Sequence, residues 1–88
     1  MKTPVLTNQF KKDYKVAQRR GKDIDKLKAV MSSLVNEYPL PQSNRDHPLS
    51  GNFQNCRECH IEPDWLLIYM LSDTEIRFVR TGTHSDLF

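Results

Sequence analysis

Apolar residues recur every three or four positions in the first half of the chain, and alternate or run together in the second. Phe10, Tyr14 and Ala17 share one helical face, with lysines and arginines between them, which predicts an amphipathic helix. Thr7 or Asn8 suits its N-cap. Gly21 suits its far end, and the charges of Arg19 and Arg20 complement the dipole there. Asp23 caps a second helix whose apolar stripe is Ile24, Leu27, Val30, Met31, Leu34, Val35 and Tyr38. The three-residue link between them implies an antiparallel helical hairpin. Before the helices, residues 3–8 (TPVLTN) read as a short strand, with Pro4 near its start, where a missing N–H is tolerated.

Residues 39–55 hold three prolines, a glycine and polar turn residues, so they predict a long loop. Three strand-like runs follow. Arg57 to Glu62 alternates, Trp65 to Leu71 is continuously apolar like a central strand, and Glu75 to Gly82 alternates again. The order β-α-α-β-β-β predicts an α+β fold, with two N-terminal helices packed on a small antiparallel sheet. Two-residue turns at Pro63-Asp64 and Asp73-Thr74 would set a register with His60 opposite Leu67, and Leu67 opposite Arg80. Cys59, Ile61, Leu66, Ile68 and Val79 would then face the helices. Tyr69 and Phe78 would share the His60 face, which a partner or the C-terminal tail must partly cover.

At 88 residues the chain is expected to form one domain, residues 1–88, with a modest core. Net charge is only +2, but residues 11–28 carry eight basic side chains against three acidic ones, leaving −3 elsewhere. A basic face of this kind suits phosphate or an acidic partner, but on this charge pattern alone a solvated helical face is the simpler explanation. The N-terminus lacks the apolar run of a signal peptide, and Trp65 to Leu71 is far shorter than the ~20 residues of a membrane helix. A cytoplasmic location with no membrane partner is expected, and with it two reduced thiols.

Cys56, Cys59 and His60 form a C-x-x-C-H motif, a spacing associated with haem attachment. Strand alternation points the two cysteines to opposite faces, which prevents a shared disulfide or haem. Nothing after the motif begins a helix, as a redox C-x-x-C needs, and zinc normally needs a second ligand pair. No metal and no cofactor is expected, and Cys59 reads as a small core residue. His47, His60 and His84, with Asp64 and Arg80, offer acid–base groups and positive charge. RNA cleavage through its own 2′-hydroxyl needs these parts: a base, an acid for the leaving 5′-oxygen, and stabilisation of a phosphorane-like transition state. An aromatic such as Trp65 could stack a base.

The stretches DHPLSG (46–51), RECHIEPDWLLIY (57–69) and RTGTHSDLF (80–88) resemble the YafQ branch of the RelE toxins, the toxin halves of bacterial type II toxin–antitoxin pairs. The resemblance covers essentially the whole chain. It implies a RelE-like fold and a ribosome-dependent mRNA endonuclease that cuts translated message in the ribosomal A site. Members of this branch prefer lysine codons of the AAA type. By resemblance the active set is His47, His60, Asp64, His84 and Phe88, with Arg80 for phosphate and Trp65 for support or stacking. His84 would be the general acid, Asp64 or His47 the base, and His60 and Arg80 would stabilise the phosphate. Lys11, Lys12, Lys15, Arg19 and Arg20 would contact ribosomal RNA, making binding salt-sensitive. A cognate antitoxin is implied, with operator DNA bound only through the toxin–antitoxin complex. Three other readings compete: a non-catalytic RNA- or protein-binding module, a metal site from His47, His60, His84 and Cys56, and purely structural histidines.

Overall fold

Thr7 joins the first strand to the first helix: its hydroxyl accepts the Phe10 amide at 2.9 Å and donates to the Val79 carbonyl at 2.8 Å. The structure, a computed structural model, describes residues 1–88. Strand β1 (Thr3–Leu6) is followed by helices α1 (Asn8–Arg19) and α2 (Ile24–Val35). Asp23 caps α2 by accepting the Asp25 amide, and Gly21 turns the chain between the helices with φ of +75°. No helix is long and apolar enough to cross a membrane.

The proline-rich segment is more ordered than a loop. It holds two 3-10 turns, Gln42–Asn44 and Gly51–Phe53, around a two-residue strand β2 (His47–Pro48). Strands β3 (Arg57–Glu62), β4 (Trp65–Leu71) and β5 (Glu75–Gly82) follow, then a one-turn helix α3 (His84–Leu87). The sheet order is β1-β5-β4-β3-β2. All pairs are antiparallel except β1–β5, which is parallel. The α+β architecture is as expected, but the all-antiparallel sheet is corrected to a mixed one. Two-residue turns force antiparallel neighbours, whereas β1 and β5 are joined by most of the chain, which permits either direction.

The register corrects the sequence expectation through two bulges. Both two-residue turns form, with Glu62 opposite Trp65 and Leu71 opposite Ile76. The β3–β4 ladder then shifts between Glu62 and His60, so His60 faces Leu66 rather than Leu67. The β4–β5 ladder shifts between Tyr69 and Ile68, so Leu67 faces Thr81 and Arg80 faces Ile68. An extra residue in one strand moves the pairing by one beyond it. Side-chain faces follow that shift.

Two apolar layers result. Cys59, Trp65, Leu67, Tyr69, Ile76 and Phe78 pack with Phe10, Ala17, Leu27 and Leu34 of the helices, and Ile61 joins this layer. Cys56, Leu66, Ile68 and Leu87 form the opposite layer, edged by Leu49, Phe53, Met70 and Val79. Leu66, Ile68 and Val79 therefore face away from the helices, and Tyr69 and Phe78 face toward them, the reverse of expectation. The C-terminal segment, through Leu87, covers part of the second face. The two cysteines lie in different layers and are free thiols.

Candidate active site

His84 opens α3 immediately after β5. Thr83 caps this turn with a reciprocal pair: its hydroxyl accepts the Asp86 amide at 3.1 Å, and Asp86 accepts the Thr83 amide at 2.9 Å. Asp64, in the β3–β4 turn, binds His84 twice through Oδ1. It accepts the His84 backbone amide at 2.9 Å and lies 2.6 Å from Nδ1. These bonds, the backbone one first, hold the Asp64 carboxyl below its usual range. An ionised Asp64 only accepts, so Nδ1 of His84 carries a proton and Nε2 is the free nitrogen.

His60 and Glu58 sit two residues apart on β3, so both side chains leave the same face of the sheet. Glu58 is only 5% exposed, and its Oε1 lies 3.1 Å from Nε2 of His60. Strand β2 places His47 directly opposite Glu58, and Nε2 of His47 lies 3.4 Å from the same oxygen. Nδ1 of His47 lies 3.1 Å from the Pro48 carbonyl, so both its ring nitrogens face acceptors. Nδ1 of His60 faces none. The His60 and His84 rings meet edge to face, 5.8 Å apart between centroids. Tertiary structure thus joins His47, Glu58, His60, His84 and Asp64 into one chain of contacts.

The remaining expected residues have other side-chain partners. The exposed Phe88 ring packs edge-on against Phe53 at 5.5 Å. Trp65 is 1% exposed and its indole donates to Thr81 Oγ1 at 2.9 Å, so it supports the fold and offers no face for stacking a base. Arg80 is not in a row with His60. Its Nε and Nη2 donate to the two Asp13 oxygens, each at 3.0 Å. Arg20 donates to Asp86 at 2.6 Å, whereas Lys11, Lys12, Lys15 and Arg19 are exposed along α1.

Neither cysteine takes part. Burial, then the nearby Asp46 and Glu58 charges, pushes the Cys59 thiol up to about 12, and burial also raises Cys56. A metal set with Cys56 does not assemble, since that thiol lies in the second apolar layer. Donor atoms of His47, Glu58 and His60 do lie within 4.8 Å of one another, and imidazole with carboxylate suits a divalent cation.

A family model described as a bacterial toxin of type II toxin–antitoxin system, YafQ, matches residues 2–88. The chain belongs to the YafQ toxin family. It is 52% identical over 83 residues to the mRNA interferase toxin YafQ of Escherichia coli strain K12, covering 93% of this chain and 90% of that protein. Its fold matches a chain in the crystal structure of the E. coli DinJ–YafQ complex with a TM-score of 0.94 and 48% identity, covering 100% of this chain and 99% of that one. A metal-bound toxin from Helicobacter pylori matches with a TM-score of 0.93 and 39% identity, covering 100% of both chains.

In this YafQ toxin, sequence reasoning passed over three site residues. Glu58 was legible: an acid two places before a histidine on a strand shares its face. Arg45 is exposed, with φ of +48°, and lines a cleft with Ser43, Asn44, His60, Ile61, Glu62 and Pro63. Asp13 sat among lysines as one more surface charge, yet it is buried and holds Arg80 and the Thr81 amide.

Proposed function

We propose that this toxin, an endoribonuclease of the mRNA interferase type, cleaves translated message on the ribosome by acid–base chemistry through the RNA 2′-hydroxyl. One observation carries the reading: two histidines, each oriented by its own carboxylate, lie with rings 5.8 Å apart. His84 is the general acid. Asp64 occupies its Nδ1 and leaves Nε2 to protonate the departing 5′-oxygen. His60 is the base, because Glu58 occupies its Nε2 and leaves Nδ1 to take the 2′-proton. Asp64 and His47 fit the base role less well, since Asp64 is committed to His84 and both nitrogens of His47 face acceptors. Arg45, exposed in the cleft beside His60, supplies charge for the scissile phosphate. Lys11, Lys12, Lys15 and Arg19 give a salt-sensitive contact to ribosomal RNA. The partner that silences the toxin is a cognate antitoxin, and operator DNA is bound through their complex.

Induced expression in a bacterium, followed by mapping of message ends, tests this. Expected are growth arrest, cuts in register with the reading frame, and a folded but inactive His84→Ala variant. Intact translated messages after induction of the wild-type chain would overturn it. A second reading, carried by the close donor atoms of His47, Glu58 and His60, makes the site metal-dependent. Elemental analysis of the purified toxin separates the two: fully active toxin without bound metal excludes that reading, and stoichiometric metal lost with activity in His47→Ala establishes it.

A further inference from the structure

Helix α1 grips the end of β5 and the start of α3 at two points. Asp13 accepts the Thr81 amide at 3.2 Å and both Arg80 nitrogens at 3.0 Å. Arg20 lies seven residues further on, two helical turns along the same face. It donates to Asp86 Oδ2 at 2.6 Å and Oδ1 at 3.3 Å. Asp86 is also half of the Thr83 cap, so one carboxylate serves both Arg20 and the turn that carries His84. The approach is close: a Cβ on Gly82 would sit 2.9 Å from Asp86 Cβ. Arg20 and the Thr83 amide hold the Asp86 carboxyl well below its usual range, so the clamp stays charged at neutral pH.

A four-residue helix has little order of its own. Asp64 holds the His84 amide and ring from an exposed turn, and Asp86 ties the same short helix to α1 from its other side. We infer that Arg20, acting through Asp86 and the Thr83 cap, is a positioning residue that holds His84 in reach of Asp64 and His60. This rests on His84 being the acid of the proposed reaction, and it removes Arg20 from the RNA-contacting set. The cost of losing it falls on the chemical step, since a displaced catalytic group lowers the rate with RNA affinity unchanged.

The test is single-turnover cleavage of a ribosome-bound message, reading maximal rate and half-saturating toxin concentration separately. Arg20→Ala is expected to lower the maximal rate by roughly 10- to 100-fold, with half-saturation unchanged. Arg20→Lys is expected to restore part of it. Arg20→Ala combined with Asp86→Asn is expected to be no worse than Asp86→Asn alone, because that variant already breaks the Arg20 link. In ¹⁵N spectra the His84 ring signals should shift or broaden in Arg20→Ala, with core signals kept. A raised half-saturation at unchanged maximal rate, effects that multiply in the double variant, or global unfolding of Arg20→Ala would each overturn the inference. His84→Ala is the control. If it still cleaves, the active-site reading fails; if it is inactive while Arg20→Ala is fully active, only the positioning role fails.

Discussion

Asp64 grips His84 at two atoms with one oxygen, accepting the backbone amide at 2.9 Å and the ring Nδ1 at 2.6 Å. Backbone and ring are thereby fixed together, and the free Nε2 has a defined direction. Asp64→Asn keeps the size of the side chain and removes the charge. Its amide also competes to donate where the carboxylate only accepts. Message cleavage is expected to fall by about 10²-fold or more, as when a carboxylate orienting a catalytic imidazole is neutralised. Single-turnover rates measure it. Unchanged rates would remove Asp64 from the mechanism.

The same contact makes stability depend on pH. The Asp64 carboxyl lies below its usual range in the folded chain, so its stabilising contribution is complete above the unfolded value of about 3.9. It disappears as pH falls through the lower folded value. The gap in Tm between the wild-type chain and Asp64→Asn is therefore expected to be constant from neutral pH to about pH 5, and to close below about pH 4. Thermal melts of the two proteins across that range decide it, and a gap that widens in acid would contradict the assignment.

Glu58 is the buried acceptor shared by His47 and His60. Glu58→Ala leaves two ring nitrogens without that partner, at an expected cost of about 1–3 kcal/mol, read by urea unfolding. Cleavage should fall at least about tenfold, because the His60 ring loses the bond that selects its nitrogen. A stable variant with full activity would show that Glu58 orients nothing.

Trp65 is the chain's single tryptophan and lies in the helix-facing core. Its emission is expected to stay constant as RNA is added, and to be weakly quenched by acrylamide until the protein unfolds. Trp65→Phe removes the donor to Thr81, with an expected loss of about 1–2 kcal/mol in denaturant titration. RNA-dependent quenching of the folded protein would restore a stacking role.

The C-x-x-C-H stretch is chemically quiet. With Cys59 pushed up to about 12, Cys56 raised and both side chains buried, neither thiol should react with iodoacetamide at pH 8 in the native state. Both should react in denaturant. Mass spectrometry counts the labels, and rapid native labelling of either would reopen the redox reading.

The helices and hairpins were legible because their signals are local. The helical spacing of Phe10, Tyr14 and Ala17, the caps at Thr7 and Asp23, and the turns at Pro63-Asp64 and Asp73-Thr74 all appear where expected. Alternation also separated Cys56 from Cys59 correctly. Helix α3 was legible too, as the T-x-x-D capping box at Thr83 and Asp86, though it passed unread. The two bulges were not. A bulge needs one residue to drop out of pairing, and which residue does so depends on packing on both faces of the sheet.

Sequence by itself determined the family, the α+β class, the order of elements and the three histidines, since each rests on residue identity or spacing within a short window. Tertiary structure decided which partner each functional group keeps. It paired β2 with β3 and so set His47 against Glu58. It brought the Pro63-Asp64 turn to the end of β5, where Asp64 meets His84. It paired Arg80 with Asp13 and Arg20 with Asp86, residues 67 and 66 positions away in the chain. Hydrogen bonds and ion pairs of that kind depend on distances of a few ångströms between remote segments. They exist only once the bulged register and the two apolar layers have fixed where those segments lie.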